Sequence, residues 1–285
     1  MNENLKFANN ALNENNLSEA VERLTAELEH QEDLGPWSVY FANKLMASFP
    51  WSLVSRLLPP GTNFFETSGW VESIRLDMPV DAEKRPLPWM NYACIDFLGS
   101  FIAQRRVRVF EWGSGCSTIF FAEHAQLVRA VEDNKSWFDE ITRITQGIGN
   151  IDLLYRSSKD EYVRAIEGLF DVIIVDGSHR PDCLEIACRH LNNYGLIVLD
   201  NSDDSNLDES ILRMDSDGFY SISFSGLIPS YAYKNVSTVF FKDPEILRIP
   251  RHSPPSTVKY SSGETCSQAA NRPISMQSSV VQHAD

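Results

Sequence analysis

A few short stretches of this chain hold residues whose type and spacing can do chemistry. The sharpest is Val107-Arg108-Val109-Phe110-Glu111-Trp112-Gly113-Ser114-Gly115-Cys116-Ser117-Thr118, an apolar run entering a glycine turn and continuing toward Phe120 and Phe121. Glycines at a strand-to-helix junction tolerate positive φ and let a ligand approach backbone amides near a helix N-terminus. A second apolar run, Leu127-Val128-Arg129-Ala130-Val131-Glu132, ends in an acid. An acid roughly 20 residues after such glycines can accept both ribose hydroxyls of an adenosine. Two further runs end in polar clusters, Asp176-Gly177-Ser178-His179 and Asp200-Asn201-Ser202-Asp203.

Two cofactor classes compete for the glycine loop. A nicotinamide dinucleotide wants a third glycine in G-x-G-x-x-G, and Thr118 stands in that place. Glu111, two residues before the first glycine, crowds a pyrophosphate but suits a cationic sulfonium that also carries an ammonium group. The residues therefore favour S-adenosylmethionine.

Adjacent parallel strands would bring Asp176, Asp200 and Asn201 together at the carboxyl edge of a sheet, where ligands bind. Three oxygen donors with room for water suit Mg²⁺, which lowers a hydroxyl pKa and orients the oxyanion. His179, three residues beyond Asp176, is placed to take the hydroxyl proton.

The set Glu-x-Gly-x-Gly, an acid ending the second strand and two terminal β-like runs resembles class I S-adenosylmethionine-dependent methyltransferases over residues 86 to 243. The resemblance implies that Glu111, Gly113, Ser114 and Gly115 line the methionine part of the cofactor, with Glu132 on the ribose. Ser117 departs from it, since many members carry another glycine there. Asp176 followed by Asp200-Asn201 resembles the metal-dependent O-methyltransferases of the catechol type. Asp-Gly-x-His is similar to the metal-dependent sugar O-methyltransferases of macrolide biosynthesis. These imply Asp176, Asp200 and Asn201 as metal ligands, with Asp176 and His179 as the catalytic pair. Asp200-Asn201 also fits a plain helix cap, and acids ending the fourth strand occur in metal-free relatives.

The elements that must position these residues follow from the hydrophobic pattern. Short apolar runs at 107–111, 127–132, 151–155, 171–176 and 195–200 alternate with helix-length segments, which predicts a Rossmann-like, doubly wound α/β fold with a mostly parallel sheet. Runs at 219–225 and 235–241 lack a helix-length gap and predict an antiparallel terminal strand pair. Between them Tyr231 and Tyr233 are placed to border an acceptor pocket. Trp137 has two readings, beside an adenine or in the core. After Pro86 and Pro88, residues 89–103 read as a helix, with Pro88 suited to its first turn.

Leu17, Ala20, Val21, Leu24 and Leu28 fall on one helical face, so residues 1–58 read as an N-terminal helical extension, a cap or a dimerisation arm that would make a homo-oligomer. Residues 59–88 form an irregular lead-in or lid, 89–248 the methyltransferase domain, and 249–285 a Ser- and Pro-rich tail expected to be disordered.

A net charge of -14 repels phosphate, which argues against nucleic acid and anionic lipid and for a small-molecule or sugar acceptor. No Asn/Asp-Pro-Pro-aromatic run follows the fourth strand to hold a flipped base. No run approaches the roughly 20 apolar residues of a membrane span, and the N-terminus lacks signal-peptide regions, so a cytoplasmic protein is expected. Five scattered cysteines give neither a disulfide framework nor a zinc site. A nicotinamide-dependent oxidoreductase and a non-catalytic cofactor-binding protein remain as the alternatives.

Overall fold

A computed structural model describes residues 63–247 of the chain. The chain divides into two units, Met1–Asn63 and Phe64–Asp285, and every element named below belongs to the second. The helices expected over 1–58, the first residues of the lead-in and the tail expected over 249–285 lie outside the described residues.

The strands are β1 (Arg108–Trp112), β2 (Leu127–Glu132), β3 (Ile151–Tyr155), β4 (Phe170–Val175), β5 (Leu191–Leu199), β6 (Tyr220–Ile228) and β7 (Tyr231–Phe241). They make one 7-stranded sheet in the order β3-β2-β1-β4-β5-β7-β6. The first five are parallel, and β7 enters antiparallel between β5 and β6. The chain thus has the mostly parallel, Rossmann-like architecture with an antiparallel terminal pair. The helices are α1 (Phe64–Thr67), α2 (Trp70–Leu76), α3 (Tyr92–Ile102), α4 (Cys116–Ala122), α5 (Lys135–Ile144), α6 (Lys159–Val163), α7 (Arg180–Ala187) and α8 (Asp208–Ser216).

Because side chains alternate along a strand, each strand feeds two cores. Val109, Val128, Ile174, Val198 and Val239 point to the face covered by α3 and α4. Phe110, Trp112, Val131, Val175, Leu199 and Phe240 point to the face covered by α6, α7 and α8. Burial on both faces explains why the parallel strands read as near-continuous apolar runs.

Three boundaries differ from the sequence expectation. Helix α3 starts at Tyr92 because the Asn91 side chain accepts the Cys94 N–H at 3.0 Å and caps it; Pro88 and Trp89 precede the helix. Strand β5 reaches back to Leu191, through exposed Asn193 and Tyr194, because Leu191 pairs with Phe170 before a shift of register. The β6–β7 hairpin closes on Pro229 and Ser230, with Ser230 at φ 72, so Tyr231 and Tyr233 lie on β7 itself.

Candidate active site

The strand register sets the site. Continuing the face of Val109, Ala130, Ile174 and Val198 by one alternation brings Glu111, Glu132, Asp176 and Asp200 to the carboxyl ends of β1, β2, β4 and β5 on one side of the sheet. These strands are neighbours, so the carboxylates form a row along the edge where open α/β sheets bind ligands. The same parity on β7 places Asn235 and Ser237 beyond Asp200.

Glu111 is 1% exposed, and neither of its carboxylate oxygens has a hydrogen-bond partner among the described residues. Burial pushes its pKa up to about 7, tempered by the nearby hydroxyls of Thr118 and Ser117. A carboxylate in this state is costly unless a cation or donor meets it. Beside it the loop turns at Gly113, whose φ of 95 lies in the left-handed region and whose missing Cβ admits the Gly177 backbone at 3.2 Å. Gly177 is equally required: a Cβ there would fall 2.0 Å from the Tyr162 hydroxyl and 2.8 Å from the Gly113 amide. The turns after β1 and β4 therefore pack backbone against backbone. The sequence reading names Gly177 only within Asp-Gly-x-His and gives it no packing role; its signal is a glycine directly after an acid at a strand end.

Thr118 is buried, and its Oγ1 accepts the Gly115 N–H at 3.1 Å. One amide that a pyrophosphate would need is thereby already bonded. The Glu132 carboxylate accepts from the Ser114 amide and hydroxyl at 3.2 and 3.1 Å, and from the Asp133 and Asn134 amides at 3.1 and 2.9 Å. It clamps the glycine loop to the end of β2, so a ribose at Glu132 would take over the acceptor positions that Ser114 holds. Trp137 is not a core residue: it is half-exposed, donates Nε1–H to the Ser114 carbonyl at 2.6 Å and lies beside Gly115.

Asp176, Asp200 and Asn201 do come together, around a residue the sequence reading missed. The Arg180 guanidinium donates to Asp176 Oδ1 at 3.1 Å, Asn201 Oδ1 at 2.7 Å, and the carbonyls of Asp200, Asp176 and Gly177 at 2.6, 3.0 and 3.1 Å. All five N–H donors of the side chain are used. The signal was an arginine four residues after Asp176, at the start of α7. Asp200 is fixed from its other side: Ser237 donates to Oδ1 at 2.5 Å and Asn235 to Oδ2 at 3.4 Å, while Asn91 donates to Ser237 at 2.8 Å. Burial holds both Asp176 and Asp200 above the usual carboxylate range. Asp200 adds to the rise at Asp176, and Arg180 opposes both.

These residues do not fit a Mg²⁺ site. The expected ligands Asp176 and Asn201 already hold a permanent cation, and a divalent ion among them would sit against the guanidinium. Among the described residues no three His, Cys, Asp or Glu side chains converge as a metal-holding group. His179, expected as base, is exposed at φ 55, with its ring 6.1 Å from that of Tyr162, which belongs to the opposite core. It does not line the cavity that Asp176 and Asp200 share.

That cavity measures about 380 Å³, with Asp176, Asp200, Asn201 and Asn235 at its base. Its wall is Trp89, Tyr231, Tyr233 and Ile228. Trp89 donates to the Pro229 carbonyl at 3.1 Å, and Trp70 to that of Tyr231 at 3.1 Å, so the hairpin tip is held from two points, one in the lead-in and one just after it. Trp89 stacks on Tyr231 at 5.9 Å, and Tyr231 meets Tyr233 at 5.3 Å. Among the described residues no helix is long and apolar enough to cross a membrane.

No family model matches this sequence, and no curated protein matches it. Solved structures do. The chain is similar to a precorrin-8w decarboxylase from Methanobacterium thermoautotrophicum, at 17% identity and TM-score 0.45, over 57% of this chain and 99% of that one. It is similar to a methyltransferase from Pyrococcus furiosus, at 19% identity and TM-score 0.41, over 61% and 94%. A third likeness is to the N-methyltransferase NodS from Bradyrhizobium japonicum, at 13% identity and TM-score 0.40, over 50% and 90%.

Proposed function

We propose that this chain is an S-adenosylmethionine-dependent methyltransferase acting on a small molecule. The observation that supports it above all is Glu111, a buried carboxylate without a hydrogen-bond partner among the described residues, set beside a glycine turn at the carboxyl edge of the sheet. A ligand bearing an ammonium and a sulfonium answers both the charge and the missing hydrogen bonds. When bound, that cofactor supplies an electrophilic methyl group. Glu111 and the loop from Gly113 to Gly115 hold its amino-acid end, Glu132 its ribose, and Trp137 one side of the loop.

Two observations count against a dinucleotide. Thr118 occupies the Gly115 amide, and the sixth position of the sheet is filled by an antiparallel strand, whereas the classic dinucleotide fold runs 3-2-1-4-5-6 in parallel. Asp176, facing the cavity beside Asp200 and held by Arg180, is the proton acceptor. Its raised affinity for a proton comes from burial and from Asp200, and its orientation comes from the guanidinium. Arg180 offsets the charge of the pair, the part that Mg²⁺ was expected to play. His179 has no role in this reading.

Calorimetric titration with S-adenosylhomocysteine tests the proposal. Binding that weakens in Glu111→Gln supports it, and absence of binding to the full-length protein overturns it.

A further inference from the structure

The acceptor cavity is unusual in what borders it. Its wall is three aromatic rings left open to solvent, Trp89 at 41%, Tyr231 at 46% and Tyr233 at 54% exposure, each touching the next. Its base carries the carboxylates of Asp176 and Asp200, and among the described residues no lysine, arginine or histidine lines it. Arg180, packed behind the base, offsets one of the negative charges there and spends all its donors on protein oxygens. At about 380 Å³ the cavity falls within the roughly 300–1,000 Å³ of small-molecule sites.

Electron-rich rings bordering a cavity whose base carries carboxylates attract a cation twice over, through the ring quadrupoles and through charge. We propose that the cavity binds the protonated amino group of a primary or secondary amine, and that the atom methylated is that nitrogen. This rests on the methyltransferase reading above.

The chemistry of deprotonation points the same way. An alkylammonium loses its proton near pH 10, to judge from lysine at about 10.4. An unassisted aliphatic hydroxyl is far less acidic, as water is. With Mg²⁺ misfitting and His179 absent from the cavity lining, an aliphatic hydroxyl acceptor has no strong activator here, whereas the Asp176 carboxylate that lines the cavity suffices for an ammonium. The ammonium gives its proton to Asp176. The freed nitrogen lone pair then forms the N–C bond as the sulfonium S–C bond breaks and its electron pair returns to sulfur. Asp176 passes the proton to solvent.

The test uses benzylammonium chloride and its neutral counterpart benzyl alcohol, titrated into the full-length protein with and without saturating S-adenosylhomocysteine. The amine is expected to bind about tenfold more tightly than the alcohol. Tyr233→Leu and Tyr231→Leu should each lower amine affinity by about fivefold, while Tyr233→Phe and Tyr231→Phe, which keep the ring faces, should not. Both tyrosines are exposed on a hairpin, so the variants fold. Equal binding of the two probes, no binding of either, or a Leu variant indistinguishable from its Phe partner overturns the amine assignment. S-adenosylhomocysteine binding without amine preference overturns the acceptor class alone; amine preference without S-adenosylhomocysteine binding overturns the methyl-transfer step and the cofactor reading beneath it.

Discussion

The ends of β1 and β5 pose the same physical problem and solve it differently. Each strand carries apolar residues into the same core and then, one alternation further, leads to a buried acid, Glu111 on β1 and Asp200 directly after β5. Asp200 meets Ser237 at 2.5 Å, Asn235 at 3.4 Å and a compensating guanidinium nearby. Glu111 has the Thr118 and Ser117 hydroxyls nearby but no hydrogen-bond partner among the described residues. A protein that assembles so complete a network at one strand end has not left the other bare for want of polar residues. The difference separates an acid that belongs to the scaffold from an acid whose partner arrives from solution.

The largest expected effect falls between these two, at Asp176. Asp176→Asn keeps the shape and the contact with Arg180 but removes the proton acceptor, so turnover should fall about 10²- to 10⁴-fold with S-adenosylhomocysteine affinity retained. Mass-spectrometric detection of methylated product would show it, and a variant keeping most of its activity would remove Asp176 from the chemistry.

Next comes Glu111→Gln, which sharpens the contrast directly. A lost charge-assisted hydrogen bond of about 1.5–3 kcal/mol should weaken S-adenosylhomocysteine roughly 10- to 100-fold. The ligand-free protein should behave in the opposite sense. Because the folded pKa of Glu111 is raised from 4.5 to about 7, the native state favours the proton. Its contribution to stability is whole below pH 4.5 and is lost as pH rises through about 7, a change on the order of 3 kcal/mol. Urea denaturation across that window should show wild type losing stability relative to Glu111→Gln. Parallel profiles would mean that Glu111 is not an orphaned acid.

Ser237→Ala breaks the other side of the comparison. It should cost about 1–3 kcal/mol of unfolding free energy, since Asp200 would lose its short bond, with little effect on S-adenosylhomocysteine affinity. A large loss of cofactor affinity would instead make Asp200 a ligand-binding acid. The smallest effect is expected from EDTA, which should leave turnover unchanged, because Arg180 holds the positions a divalent ion would need. Loss of activity restored by added Mg²⁺ would show that the guanidinium yields its place.

The sequence made much of this legible for a plain reason. Parallel strands buried on both faces have to be apolar, so an acid at the end of such a run stands out, and Glu111, Glu132, Asp176 and Asp200 were all visible. What stayed hidden depends on packing between distant segments. Arg180 reads as one more surface charge until β4 and β5 lie side by side. Trp89 reads as a helix residue until Asn91 caps α3 behind it. His179 follows Asp176 closely in sequence, yet it sits in the left-handed region as the cap of α7 and does not line the cavity that Asp176 does. The hairpin tip was read as a loop because Tyr231, Ala232, Tyr233 and Lys234 are exposed and their pairing with β6 leaves no apolar alternation to detect.

Strand β7 has one more consequence. Read along a single face from its C-terminal end, it passes from Phe241 and Val239 in the core, through Ser237 and Asn235 under the carboxylates, to Tyr233 and Tyr231 on the cavity wall. The part that anchors and the part that selects are thus in series on one ribbon, and the stretch from Asn235 to the turn is what lines the acceptor cavity. Repertoire and integrity are separable: the residues around the Pro229-Ser230 turn can be exchanged to admit another guest without disturbing the cofactor half, whereas a slip of one residue in the ribbon would turn anchor and selector outward together.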